Sequence, residues 1–221
     1  IAKVTAATFP GDLWVEGQIR NLSRSPSGHA YFDLAEPVPA GEAPRAQVAV
    51  TLLAPERRFV NDQLTRAGGA VRMEDGIEVR IRGRLRWYAP RGTLQLRMSG
   101  IDPTFTLGRL QADRERTLAA LAADGLLDAN RARRLPLVPL RIGLITSVGS
   151  AAHADVLAEL TASGLGFTVR VADARTQGID CAPSVVAALA RLAADGVDAV
   201  LLVRGGGART DLAGFDTDLL A

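Results

Sequence analysis

The sequence predicts an all-β first half, a helical linker and a parallel α/β second half, and three observations carry that prediction. Residues 12–101 break into short alternating runs divided by Gly, Pro and Ser, the punctuation of strands and turns. Residues 137–218 instead alternate apolar strand-like runs with longer helical segments, as parallel strands joined by right-handed crossovers do. Between them, Leu107, Leu110, Leu118 and Leu121 fall at broadly helical spacings. The expected divisions are 1–104, 105–136 and 137–221.

Five strands are expected first, at 13–20, 29–34, 46–53, 77–88 and 93–101, with a helix from Pro55 to about Ala67 between the third and fourth. That is the layout of an OB-fold, a small Greek-key barrel that commonly binds single strands. The fourth strand alternates cleanly, with Ile77, Val79, Ile81, Gly83 and Leu85 on one face and Glu78, Arg80, Arg82, Arg84 and Arg86 on the other. Four arginines on one face read as a phosphate-binding surface or as an ordinary solvated one. His29, followed by Tyr31 and Phe32, reads as a DNA-stacking or structural residue of the barrel rather than a catalyst.

The linker helix, from Leu107 to about Asp124, stops at Gly125, where a C-terminal cap belongs. A basic loop, 131–136, leads through Pro136 and Pro139 into strand 141–146, a helix over about 150–162, strand 167–173, a helix from Pro183 to about Asp195, strand 198–203 and a last helix near Asp211. Val200 to Val203 form a continuous apolar run, the pattern of a strand covered on both faces. In a parallel sheet the three strand ends point one way, so the residues after them can converge. Those residues include the hydroxyls of Thr146, Ser147 and Ser150, the polar loop from Arg175 to Gly178, and Arg204 with Gly205, Gly206 and Gly207. Glycines let backbone N–H groups approach an anion, and the planar fork of Arg204 can grip it. Asp155 lies one turn into the helix that follows Ser150, where it serves either the helix dipole or catalysis.

Counting excludes the two familiar nucleotide loops. Thr210 stands where a dinucleotide fingerprint needs its third glycine, and a Walker A loop needs a Gly-Lys pair, whereas the sole lysine is Lys3. One cysteine, Cys181, excludes an internal disulfide and a cysteine-built zinc site, and two histidines, His29 and His153, exclude a histidine-rich metal site. With no apolar signal segment and no apolar run near about 20 residues, a soluble protein of the reducing cytoplasm is expected. The net charge of +2 hides an asymmetry: residues 1–100 carry an excess of four basic side chains, and residues 142–221 an excess of four acidic ones. A chain that begins at Ile1 and stops at Ala221, within an expected helix, reads as a fragment.

Four segments carry a family resemblance: WVEGQIRNLSRSPSGHAYFDL (14–34), LRWYAPRGTLQL (85–96), GLLDANRARRLPLVPLRIGLITS (125–147) and RGGGARTDLAGFD (204–216). In order and over nearly the whole chain, they resemble the large subunits of exodeoxyribonuclease VII, bacterial single-strand DNA exonucleases. The resemblance implies catalytic roles for Asp155 and Arg204, and phosphate binding by Thr146, Ser147, Gly205, Gly206 and Gly207. For the barrel, Asn21, Ser23, Arg24, His29, Tyr31, Arg82, Arg84, Trp87, Tyr88 and Arg91 are expected to contact DNA. It leaves the cofactor unknown, magnesium being one candidate that the family does not strictly require, and it further implies several copies of a small subunit as partners through a region beyond this chain, and a downstream histidine and aspartate that complete the site. The fragment alone is therefore expected to be inactive.

Departures from the family pattern include Val148-Gly149-Ser150 in place of Pro-Thr-Gly, Ala208-Arg209-Thr210-Asp211-Leu212 in place of Ser-Leu-Glu-Asp-Leu, and Ala30 at a position that is often aromatic. The altered glycine loop leaves an alternative open, a single-stranded-DNA-binding protein without catalysis. A regulator that binds a mononucleotide at that loop is a second, disfavoured by the missing fingerprint glycine.

Overall fold

The structure is a computed structural model describing residues 1–38, 43–206 and 209–220. The chain divides into two compact units, the first built mainly on Ile1–Gln111 and the second on the chain from Ala112 onward. In the first unit a short helix α1 (Ala2–Thr8) precedes strands β1 (Leu13–Arg24), β2 (Ala30–Ala35) and β3 (Gln47–Leu52), helix α2 (Ala54–Arg66), and strands β4 (Glu78–Tyr88) and β5 (Thr93–Ile101). The five strands close into a barrel in the order β1-β2-β3-β5-β4. Parallel pairing of β3 with β5 closes it, and the other pairings are antiparallel. This is the expected OB-fold.

Strand alternation fills the barrel. Ile19, Val50, Leu52, Val79, Ile81, Leu96 and Met98 point inward and are fully buried, while the arginines of β4 point outward. Two glycines permit close strand crossings: a β-carbon on Gly17 would lie 2.8 Å from the Ala35 carbonyl oxygen, and one on Gly83 would lie 2.7 Å from that of Arg97. Helix α2 closes one end, burying Val60 and Leu64, and its Gln63 accepts the Ile101 N–H through Oε1 at 3.2 Å. Removing such side chains from water stabilises by about 1.5–3 kcal/mol each, which is why the apolar face of each strand fixes its register.

Helix α3 (Pro103–Ala123) carries the chain into the second unit and ends at Gly125, whose φ of +68° and following Leu126 N–H to Leu121 carbonyl bond form the expected glycine cap. Strands β6 (Arg141–Thr146), β7 (Thr168–Asp173) and β8 (Ala199–Leu202) form a parallel sheet in the order β7-β6-β8, with helices α4 (Ala151–Ala162) and α5 (Cys181–Ala194) as crossovers. Ile145, Ala172, Val185, Ala188 and Leu192 form the core between sheet and α5.

The structure corrects several expectations. Among the described residues β8 pairs with β6 alone, and its Val200, Leu201 and Leu202 are 37, 36 and 40% exposed; the central position belongs to β6. An unbroken apolar run cannot distinguish such a strand from one covered on both faces. Instead of a helix near Asp211 there is a 3-10 stretch, Arg209–Phe215. Helix α1 adds an element that the sequence pattern does not predict, because it buries no residue and so has no apolar periodicity. Strand β1 runs on to Arg24 across a register shift between Arg20 and Ser23, where Asn21 takes a φ of +55°. Helix α3 starts at Pro103, before Leu107. Ala30 is 4% exposed and faces the barrel interior, so an aromatic ring there would pack into the core and offer no stacking surface.

Candidate nucleic-acid interface and sheet-edge site

Pairing register sets the outer surface of the barrel. Asp33 on β2 stands opposite Ala49 on β3, Ala49 opposite Gln95 on β5, and Gln95 opposite Arg86 on β4. The neighbouring row runs from Tyr31 through Thr51 and Arg97 to Arg84. Along these rows lies a groove of about 680 Å³. Four of the DNA-binding residues expected from sequence line it: Asn21, Tyr31, Tyr88 and Arg91. Tyr31 and Tyr88 are 43 and 42% exposed, each offering a ring face to a base, and the 3-10 turn Ala89–Arg91 with Gly92 at φ +62° carries Arg91 to the rim.

Asp33, Gln95 and Arg97 also line the groove, although nothing in their own strands marks them. Their signal is register across strands, which a single strand read alone does not carry. Arg97 donates to Glu56 at 2.5 Å, and this bond holds the Glu56 carboxyl below its ordinary value. Asn21 Nδ2 donates to Asp33 Oδ2 at 2.9 Å across the β1 bulge.

The remaining residues expected to bind DNA stand elsewhere. Arg82 and Arg84 reach Asp12, at 3.6 and 3.3 Å, and Arg80 lies 3.5 Å from Glu16, so three of the four arginines on the outer face of β4 already face carboxylates. Trp87 lines a separate cavity of about 150 Å³ with Ala2, Thr5 and Phe9. His29 accepts the Ala54 N–H through Nδ1 at 2.9 Å, which fixes the start of α2, and its ring meets Tyr31 edge-on. Ser23 donates to the Tyr31 carbonyl, and Arg24 to that of Met73.

In the second unit the carboxyl ends of β6 and β7 bring Ser147 beside Thr176, with their hydroxyl oxygens 3.2 Å apart. Ser147 also donates to the Ala174 carbonyl. Thr146 is 1% exposed and its hydroxyl has no partner among the described residues. Ser150 caps α4 by accepting the His153 N–H, and His153 Nδ1 accepts the Gly149 N–H at 3.3 Å. Asp155 stands exposed in the first turns of α4. Arg204 follows β8 near Cys181; burial pushes that thiol up, and the charge of Arg204 partly opposes the push. Gly205 and Gly206 are exposed, with open space where a β-carbon would sit, which suits approach of an anion to their N–H groups. Gly207 lies outside the described residues. Among the described residues no group of three or more His, Cys, Asp and Glu side chains assembles as a metal site.

A closed OB barrel with a groove of arginines and exposed tyrosines, and a parallel sheet with arginine and glycines at its carboxyl edge, define a two-unit protein whose first unit has the architecture of nucleic-acid-binding barrels. Residues 1–102 match the family described as OB-fold nucleic acid binding domain, and residues 126–221 match the family described as Exonuclease VII, large subunit. Over these two segments the chain is similar to exonuclease VII large subunits and to OB-fold nucleic acid binding domains. Relatives named Exodeoxyribonuclease 7 large subunit include those of Moorella thermoacetica and Streptomyces coelicolor, each 36% identical over 212 residues, and that of Pseudomonas syringae pv. tomato, 32% identical over 220. These alignments cover 95, 95 and 100% of this chain but 48, 49 and 44% of the relatives, so the chain spans about half the length of the curated relatives it matches. No described helix is long and apolar enough to cross a membrane.

Proposed function

We propose that the complete protein is an exodeoxyribonuclease that hydrolyses single-stranded DNA to oligonucleotides, and that this chain supplies DNA capture and part of the hydrolytic site. The observation that carries the reading is the groove, in which exposed Tyr31 and Tyr88 accompany Arg86 and Arg91 on a chain whose relatives are named exodeoxyribonucleases. Arginines attract the phosphate backbone and tyrosines stack bases without sequence preference, at about 1–3 kcal/mol per stacked base. At the sheet edge, Asp155 orients the attacking water. Arg204 and the N–H groups of Gly205 and Gly206 stabilise the charge that develops on the pentavalent phosphorus. Copies of a small subunit bind the part of the protein beyond this chain, and the assembly works on DNA repair intermediates in the cytoplasm.

One observation favours a second reading, binding without hydrolysis. The glycine loop departs from the family pattern, with Ala208-Arg209-Thr210 in place of Ser-Leu-Glu. Degradation of end-labelled single-stranded DNA by the full-length subunit with its small partner separates the readings. Cleavage that Asp155→Ala and Arg204→Ala abolish while DNA binding persists supports the nuclease; no cleavage by the unmutated complex supports a binding protein.

A further inference from the structure

The groove is polarised in charge along its cross-strand row. At the β2 end Asp33 presents a carboxylate, and at the β4 end Arg86 presents a guanidinium, with Ala49 and Gln95 between them. Arg91 lies on the arginine side at the hairpin turn, whereas Asn21 lies on the aspartate side, bonded to Asp33. A polyanion cannot treat the two walls alike. Phosphates are drawn to the β4–β5 wall and repelled from Asp33, which leaves the β1–β2 wall to the bases.

Asp33 brings a carboxylate to the groove, and its Oδ2 accepts from Asn21 Nδ2 at 2.9 Å. A carboxylate has about four lone-pair sites and donates nothing, so it can accept further N–H bonds from a ligand. The positive φ of Asn21, tolerated by this residue type, and the bulge beside it hold the amide in that place. Exposed Tyr31, two residues before Asp33 on the same face of β2, supplies a ring on which a base can stack with its edge toward the pair.

Resting on the single-strand-binding reading above, we infer that Asp33, positioned by Asn21, selects bases whose edges donate through an exocyclic amine. Cytosine N4 and adenine N6 donate to the carboxylate, and guanine donates through N1 and N2 together. Thymine turns two carbonyl oxygens toward it with one N–H between them. The groove therefore disfavours runs of thymine.

The test compares the affinities of oligo(dC) and oligo(dT) of equal length for the 221-residue chain at one fixed salt concentration, in the unmodified protein and in Asp33→Asn. These ligands share charge and have similar stacking area. The expected result is about tenfold tighter binding of oligo(dC), the worth of one hydrogen bond to a charged group. In Asp33→Asn the ratio falls to near one while oligo(dT) binds more tightly, because a repelling charge is gone and an N–H donor is gained. Equal binding of the two by the unmodified chain, or an unchanged ratio in the variant, overturns the base selection and leaves single-strand binding standing. Failure of both oligomers to bind overturns the single-strand-binding reading, and the selection with it.

Discussion

A methyl group added at Gly83 would meet the Arg97 carbonyl oxygen at 2.7 Å, a distance real β-carbons do not adopt, and that oxygen belongs to backbone held in the β4–β5 ladder. Neither side can yield without opening the barrel. Gly83→Ala should therefore destabilise the first unit by about 1–3 kcal/mol, read as a lower denaturant midpoint followed through tryptophan fluorescence. Gly108 offers the opposite case, an exposed glycine inside α3 with open space around it, and Gly108→Ala should stabilise by about 0.5–1 kcal/mol. The two glycines look alike in the sequence, and their contrast comes from what stands opposite each of them. Asp33 teaches the same lesson. On its own it is a polar residue in an alternating strand, and only pairing to β3, and through it to β5 and β4, makes it the acidic end of a groove.

At the scale of elements, two ion pairs tie parts together and also set a pH dependence. Arg97 on β5 holds Glu56 on α2, and Arg141 at the start of β6 holds Asp198 just before β8 through its side chain and its backbone N–H. Both carboxyls are held below their ordinary values, chiefly by these arginine bonds. A carboxyl whose folded value is depressed contributes stability that is fully present above its unfolded value, near pH 4–4.5, and is lost as pH falls through the folded value. Stability should accordingly decline below about pH 4.5, and Glu56→Gln with Asp198→Asn should flatten that decline, as measured by thermal unfolding from pH 3 to 7. Element identity is legible because periodicity changes from two to 3.6 where β4, β5 and α3 follow one another. The strand at 198–203 shows the limit, since its four apolar residues predict a strand without saying whether anything covers it. Asn21 marks another, where a polar residue in the left-handed region extends β1 past its expected end.

For the whole molecule, the decisive quantity is which positive charges remain available to DNA. The sequence places four arginines on one face of β4, but Arg80, Arg82 and Arg84 face carboxylates, whereas Arg86 lines the groove with Arg91. The salt slope of single-strand binding scales at about 0.7 per neutralised phosphate, so Arg86→Ala and Arg91→Ala should each lower it by that amount. Arg82→Ala and Arg84→Ala should change it less, and Asp12→Asn should tighten binding by freeing both; titrations of oligo(dT) across salt concentrations check all five. The change from short strands with turns to alternating strands and helices follows from the sequence pattern. The distribution of usable charge does not, because Asp12 is distant in sequence from the arginines it neutralises.

Barrel closure also sets a schedule. Strand β5 pairs with both β3 and β4, and the groove is walled by β2, β3, β5 and β4, so none of it exists until residue 101 is available. Until β5 is made, β3 and β4 each keep an unpaired edge, the kind of edge that invites pairing with another chain. The groove is therefore complete only with the last strand of the barrel.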